Sequence, residues 1–302
     1  MINKKVIFCG VVRNIGDKLR PNIEHMLKTA QHFQQFKIII YENNSTDNTK
    51  DILIAYSTHA HVKIISEDLP AECFRKENNV IWAYTELTGS DHPCRMELIS
   101  NARNKLIDEI RKPEYSDYSH CVMMDLDSNG WDIAGILDSF RRSDEWDAVF
   151  ANSRPYYDYY ALRSEKFPFG PEITGEYFWN ALPSLQIPGC DLMPVYSAFN
   201  GIGIYKKELL DKHKYDFVVN KDVKTFYRNY MKINSVTNVN RIFIENPCIK
   251  HPLSCKDEQS EIVWKSNSGY KGFVVCEHVP LNFALYNKGY KLFINPAMIY
   301  YR

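Results

Sequence analysis

The first half of the chain alternates between short apolar runs and segments whose apolar residues recur at helical spacing. The apolar runs predict five strands, over residues 5–12, 37–41, 62–65, 120–124 and 148–151. The helical spacing predicts helices over residues 17–33, 47–56 and 95–111, the second of them opening on the capping residues Ser45, Thr46 and Asp47. This alternation is typical of an α/β fold with a mostly parallel sheet covered by helices.

The pattern changes after Asn152 to an aromatic, proline-rich and irregular stretch that runs to Pro194. Loops of this length in a compact domain are usually functional or mobile. Further on, the pattern predicts a strand over residues 196–205, a helix over 279–287 that Gly289 stops, and a last strand over 290–294. No linker interrupts the chain, so a single domain is predicted over residues 1–302.

Composition narrows the functional classes. The chain has 302 residues, of which 45% are hydrophobic, enough to bury a core, and 37 basic residues balance 37 acidic ones. Balanced charge argues against non-specific nucleic-acid binding. The N-terminus lacks a signal-peptide pattern and no apolar stretch there could span a bilayer, so we expect a cytoplasmic protein, peripheral to a membrane at most. Eight cysteines without a C-x-x-C pair predict reduced thiols rather than a zinc or disulfide framework.

The strongest chemical signal is Asp125-Leu126-Asp127, which ends the apolar run that begins at Val122. Two carboxylates at the mouth of a buried strand suit a hard divalent cation whose remaining positions stay open for phosphate oxygens. The motif therefore predicts a phosphorylated substrate.

Four segments in order resemble the GT-A type of nucleotide-sugar glycosyltransferase, and the resemblance covers most of the chain. They are the second strand with its Ser-x-Asp-x-Thr turn (38–49), the Ala-Arg-Asn helix (101–104), the Asp-x-Asp motif (125–127), and Cys276-Glu277-His278 with Gly289-Tyr290 and Pro296. The Glu-Asn-Asn-Ser segment (42–45) and the Arg-Asn helix are also partly similar to the corresponding segments of fungal capsule mannosyltransferases.

The resemblance implies a GT-A domain with a nucleotide-sugar-binding half, 1–151, and an acceptor-binding half, 152–302. It implies transfer of a sugar from a UDP-, GDP- or dTDP-sugar to a carbohydrate or glycoconjugate acceptor, assisted by Mn²⁺ or Mg²⁺. An inverting mechanism is expected because Glu277 occupies the place of a base. The donor sugar, the acceptor and the oligomeric state are not specified by the sequence.

The same resemblance implies the site residues. The metal ligands are expected to be Asp125, Asp127 and His278, and the catalytic acids Glu277 and Asp191. Nucleotide-sugar contacts are expected from Val12, Arg13, Asn14, Glu42, Asn44, Arg103, Asp125 and Leu126. Family members commonly have Glu-Asp where this chain has Glu277-His278, so the roles of base and metal ligand are interchangeable between these two residues. Tyr156, Tyr157, Trp179 and Tyr196 suit stacking on sugar rings.

Three other functions fit parts of the sequence. An Asp-x-Asp phosphatase would have Thr or Val where this chain has Asn129. A sugar-phosphate nucleotidyltransferase would have a glycine-rich loop after the first strand, where residues 11–16 contain a single glycine. A degenerate transferase that only binds glycans is disfavoured by the presence of both aspartates and Glu277.

Overall fold

The computed structural model describes residues 1–70, 95–174, 185–234 and 274–302, together with the backbone of residues 253–256 and 263–266. The described strands are β1 (Ile2–Val12), β2 (Phe33–Asn43), β3 (Val62–Glu67), β4 (His120–Asp125), β5 (Ala148–Asn152), β6 (Met193–Pro194), β7 (Ile202–Lys206), β8 (Leu253–Lys256), β9 (Val263–Ser266) and β10 (Leu292–Ile299). The described helices are α1 (Leu19–Ala30), α2 (Thr49–Tyr56), α3 (Arg95–Ile110), α4 (Ile133–Arg141), α5 (Pro171–Thr174), α6 (Lys207–Lys212), α7 (Lys221–Ile233) and α8 (His278–Tyr286).

Within the described residues, one eight-stranded sheet forms the centre of the fold, with the order β3-β2-β1-β4-β7-β5-β10-β6. Strands β3, β2, β1 and β4 are parallel neighbours, and β5 is parallel to β10. Strands β7 and β6 run antiparallel to their neighbours. The expected α/β class, with a mostly parallel sheet flanked by helices, is confirmed.

The alternation of side chains along β1 explains how the sheet acquires two covered faces. Val6 and Phe8 belong to one core and Ile7 and Cys9 to the other, because successive residues of a strand point to opposite sides. Helices α1, α2 and α4 contribute to the first core, and α3, α7 and α8 to the second. No helix in the described part of the chain is long and apolar enough to cross a membrane.

Two differences from the sequence prediction concern the second half. The strand predicted over 196–205 is wrong in its first part, because Asn200 and Gly201 have φ angles of 55° and 88° and turn the chain before β7 begins at Ile202. Helices α4 and α7 were not predicted, although Asn220 caps α7 by accepting hydrogen bonds from the backbone N–H groups of Asp222 and Val223.

A buried ion pair holds the irregular stretch after β5 against α7. Arg163 and Glu172 are both 0% exposed, and Arg163 Nη2 lies 2.7 Å from Glu172 Oε2. The hydroxyl of Tyr227, on α7, donates to the same carboxylate. Part of this stretch, including Trp179, lies outside the described residues. The ion pair thus connects two parts of the described stretch, and the Tyr227 hydroxyl connects that stretch to α7.

Candidate functional site

A cleft of about 670 Å³ opens where β1 and β4 end. In open α/β sheets, ligands bind beyond the carboxyl ends of the strands. The chain segments that line the cleft come from the ends of β1 and β4, from α3, from the stretch after β5 and from the start of α8. Polar and charged lining residues are Arg13, Asn14, Asn43, Arg95, Arg103, Asp125, Asp127, Asp158, Glu277, His278 and Arg302.

The Asp-x-Asp motif lies in this cleft, as the sequence predicts for a ligand site at the end of β4. Asp125 is the last residue of β4, and its backbone N–H donates to the carbonyl of Gly201 at 2.9 Å. Asp127 is exposed. The hydroxyl of Tyr300 lies 3.3 Å from the Asp125 carbonyl and 3.4 Å from Asp127 Oδ1, which fixes the turn between the two acids.

Arg103, on α3, connects the motif to the start of α8. Its Nη2 donates to Asp125 Oδ1 at 2.8 Å and its Nε donates to Glu277 Oε1 at 3.1 Å. The guanidinium also lies over the ring of Phe199, 4.7 Å from the centroid. Burial acts to lower the pKa of Arg103, but the charges of Asp125 and Glu277 outweigh it and raise this pKa, so the group stays charged. Its contacts are those of a residue that orients Asp125.

Glu277 and His278 are buried at the start of α8. The ring of His278 stacks on Phe199 with the centroids 3.7 Å apart, and its Nε2 lies 3.2 Å from Glu277 Oε1. Burial acts to raise the pKa of Glu277, but His278 and Arg103 outweigh it and hold this pKa well below its usual range. Burial lowers the pKa of His278, and the neighbouring Glu277 carboxylate opposes this shift.

Asp125 and Asp127 offer two carboxylates to a cation. Among the described residues, no three His, Cys, Asp or Glu side chains come together to hold a metal ion, so His278 does not complete a protein-only site with Asp125 and Asp127. The stacking of His278 on Phe199 accounts for its position. Within the same residues no ion pair involves the Asp127 carboxylate, whereas Asp125 pairs with Arg103. This set fits a cation such as Mg²⁺ or Mn²⁺ that takes its other ligands from phosphate and water oxygens.

The predicted nucleotide contacts divide into two groups. Val12, Arg13, Asn14 and Leu126 line the cleft. Asn14 has a φ angle of 52°, and its side-chain oxygen accepts the backbone N–H of Thr46 at 2.7 Å, so the loop after β1 is held by the turn after β2.

Glu42 and Asn44 do not line the cleft. Glu42 is 0% exposed, and its carboxylate accepts hydrogen bonds from the backbone N–H of Ser45 and the hydroxyl of Ser66. The Asn44 amide exchanges two hydrogen bonds of 2.8 Å with the backbone of Leu69. These contacts give both residues a structural part in the turn after β2.

Asp191 and two of the predicted sugar-stacking residues also lie outside the cleft. Asp191 is exposed and does not line the cleft, and its catalytic role stays a prediction. Tyr156 is 2% exposed in the core, and Tyr196 packs on Phe226. Tyr157 does line the cleft.

Several cleft residues were not predicted from the sequence, among them Asp158, Tyr300 and Arg302. Arg302 lies over the ring of Tyr157, 4.6 Å from its centroid, and Tyr157 stacks on Tyr300. Asp158 is the one acidic residue in a run of four tyrosines, and this isolated acid in an aromatic segment could have identified it as a site residue from the sequence.

No family model and no curated protein matches the chain. Among solved structures, it is similar to TarS from S. aureus in complex with UDP-GlcNAc, with 13% identity and a TM-score of 0.40 over 70% of this chain and 48% of that one. It is similar to the mannosyltransferase PcManGT from Pyrobaculum calidifontis in complex with GDP-Man and Mn²⁺, with 12% identity and a TM-score of 0.42 over 72% and 48%. It is also similar to 4-diphosphocytidyl-2C-methyl-D-erythritolsynthase from Anaerococcus prevotii DSM 20548, with 8% identity and a TM-score of 0.37 over 75% and 84%.

The chain thus spans about half the length of the TarS and PcManGT chains that it matches. Two of these three structures are described as complexes with a nucleotide sugar, UDP-GlcNAc or GDP-Man. Likeness at these values says nothing about activity. The functional proposal therefore rests on the residues of the cleft.

Proposed function

We propose that the chain is a metal-dependent glycosyltransferase of the GT-A type. It moves a sugar from a UDP-, GDP- or dTDP-sugar to a carbohydrate or glycoconjugate acceptor with inversion at the anomeric carbon. The observation that carries the proposal is the position of Asp125 and Asp127 at the carboxyl end of β4, in one cleft with Arg13 and Asn14 from the end of β1. The division into a donor half, 1–151, and an acceptor half, 152–302, stays a prediction.

Departure of a nucleoside diphosphate builds negative charge on the leaving oxygens, and the site has the groups to neutralise it. Asp125 and Asp127 are the residues that would hold Mn²⁺ or Mg²⁺, which when bound supplies positive charge to the diphosphate. Arg103 keeps the Asp125 carboxylate in place through the hydrogen bond of 2.8 Å. Arg13 lines the same cleft and presents a guanidinium suited to phosphate oxygens.

The acceptor side of the cleft is aromatic. Tyr157 and Tyr160 line it, and aromatic side chains suit the apolar faces of sugar rings. Inversion also needs a base for the acceptor hydroxyl, the role that the sequence resemblance gives to Glu277.

A thermal-shift screen tests the donor and the metal together. UDP-, GDP- and dTDP-sugars are added to the purified chain with and without Mn²⁺. A ligand that binds only the folded state at 100 times its Kd stabilises it by about 2.7 kcal/mol. We expect one nucleotide class to raise the Tm in Mn²⁺ and much less without it.

Asp127→Asn is the decisive variant, because the exposed side chain can lose its charge without loss of packing. We expect its Tm without ligand to match the wild type, while the metal-dependent shift and transfer are both lost. Asp51→Asn, which changes an exposed acid of α2 outside the cleft, is the matched control and should retain both. Normal turnover by Asp127→Asn would refute the metal role.

Release of pyrophosphate from a nucleoside triphosphate and a sugar phosphate would instead identify a nucleotidyltransferase.

A further inference from the structure

We propose that Asp158 is the general base that takes the proton from the acceptor hydroxyl. The inference rests on the proposed glycosyl transfer and assigns its acid–base step to a residue in the stretch after β5. Asp158 lines the same cleft as Asp125, Asp127 and Arg103. It is a half-buried residue that lies in the sequence between Tyr157 and Tyr160, both of which line the cleft.

The backbone fixes the Asp158 carboxylate without neutralising it. Its Oδ2 accepts the backbone N–H of Asn200 at 3.0 Å and its Oδ1 accepts the backbone N–H of Ala161 at 3.3 Å. Its own backbone N–H donates to Asn200 Oδ1 at 3.2 Å. A carboxylate has about four lone-pair sites, so two backbone donors leave acceptor capacity for a hydroxyl. No ion pair involves Asp158 among the described residues, in contrast to Asp125 and Glu277, which share Arg103.

The charges around Asp158 suit a base that works near neutral pH. Burial raises the pKa of Asp158 to about 6; the backbone N–H of Asn200 opposes this, and the charge of Glu277 adds to it. The titratable groups facing it are Arg103 from α3, Glu277 and Cys276 before α8, and Tyr156 and Tyr157 beside it. An efficient general base has a pKa close to the working pH. The ion-paired Glu277, with its lowered pKa, is a much weaker proton acceptor.

The proposed step balances without another reactant. The acceptor hydroxyl gives its proton to an Asp158 oxygen while its own oxygen forms a bond to the anomeric carbon of the donor sugar. The bond from that carbon to the phosphate oxygen breaks, and its electron pair leaves with the nucleoside diphosphate. Asp158 then releases the proton to water. Glu277 acts as a positioning residue, because it touches Arg103, which in turn holds Asp125.

The test compares Asp158→Asn with wild type, using as donor the nucleotide sugar that gives the largest thermal shift in Mn²⁺ and water as the acceptor. Release of nucleoside diphosphate gives kcat from pH 5 to pH 8. We expect a fall in kcat of about 10²–10⁴-fold in Asp158→Asn, the usual contribution of a general base, with the donor-induced Tm shift retained. In the wild type, kcat should decrease at pH values below about 6, because Asp158 takes up a proton there. The residual activity of the variant should lack this acidic limb of the pH–rate profile. Asp144→Asn, an exposed acid outside the cleft, should behave as wild type.

A value of kcat within about threefold of wild type in folded Asp158→Asn would overturn the assignment, since a missing general base costs far more. If Asp158→Asn does not fold, the pH profile of Glu277→Gln decides. Persistence of the limb near pH 6 in that variant supports Asp158, and its disappearance transfers the role to Glu277. A wild type that neither binds nor cleaves any donor contradicts the proposed function itself, which is a different result from an active enzyme indifferent to Asp158.

Discussion

Replacing Arg103 by Met tests whether one buried cation organises the cleft. The Arg103 side chain is 3% exposed, as against 6% for Glu277 and 29% for Asp125. Met fills most of the space of the Arg stem but leaves Glu277 as a buried carboxylate without its guanidinium. Removing one partner of a buried ion pair usually costs about 3–5 kcal/mol. Asp125 is reached by solvent, so we expect most of the loss to come from Glu277.

The effect depends on pH in a defined direction. In the wild type, the pKa of Glu277 is lower in the folded than in the unfolded chain, so its contribution to stability is present above the unfolded pKa and is lost as the pH falls. In Arg103→Met, the positive charge that lowers the pKa of Glu277 is missing, so burial raises this pKa in the folded variant. The difference in unfolding free energy between the wild type and Arg103→Met should therefore become smaller as the pH is lowered from 7 to 4.

Urea unfolding followed by circular dichroism measures these differences. With an m-value of about 3 kcal/mol/M, the expected loss moves the midpoint by about 1 M or more. The double variant Arg103→Met with Glu277→Gln should recover part of the loss, giving a coupling energy of roughly 2 kcal/mol. A loss below about 1 kcal/mol in Arg103→Met, or simple additivity in the double variant, would contradict the buried charge pair described here.

Two further predictions concern stability. Gly201→Ala should destabilise the fold by more than the roughly 1–2 kcal/mol cost of a left-handed residue, because a Cβ there would lie 2.5 Å from the Tyr300 ring. Gly130→Ala is the control, because Gly130 has a φ angle of 103° and nothing lies within 4 Å of the added Cβ, so this variant measures only the backbone strain. If both variants lose the same stability in urea, the contact with Tyr300 does not contribute. Burial lowers the pKa of His120 to about 4, whereas the unfolded residue takes up a proton near pH 6.5, so stability should fall by up to roughly 3 kcal/mol between pH 6.5 and pH 4. Urea midpoints of His120→Gln should vary less over this interval, and an unchanged pH dependence would refute the assignment to His120.

Local pattern determined the framework of this protein. The continuous apolar run of β1 was sufficient to predict a strand in a sheet covered by helices, because the side chains of successive strand residues point to opposite faces whatever the rest of the molecule does. The cluster of acids after the apolar run at β4 similarly predicted where a ligand site would open. Asp125 and Asp127 do lie in the cleft.

Only the tertiary structure decided which polar groups meet. Arg103 and Glu277 are 174 positions apart, and their hydrogen bond exists because α3 and the start of α8 pack on the same face of the sheet. Glu42 matched the expected motif, yet its carboxylate is engaged by Ser45 and Ser66. Asp158 carried no recognised motif and reached the cleft through its bonds to Asn200. Spacing along the chain fixes the direction of a side chain within its own element, whereas its partner depends on the order of the strands and the packing of distant segments.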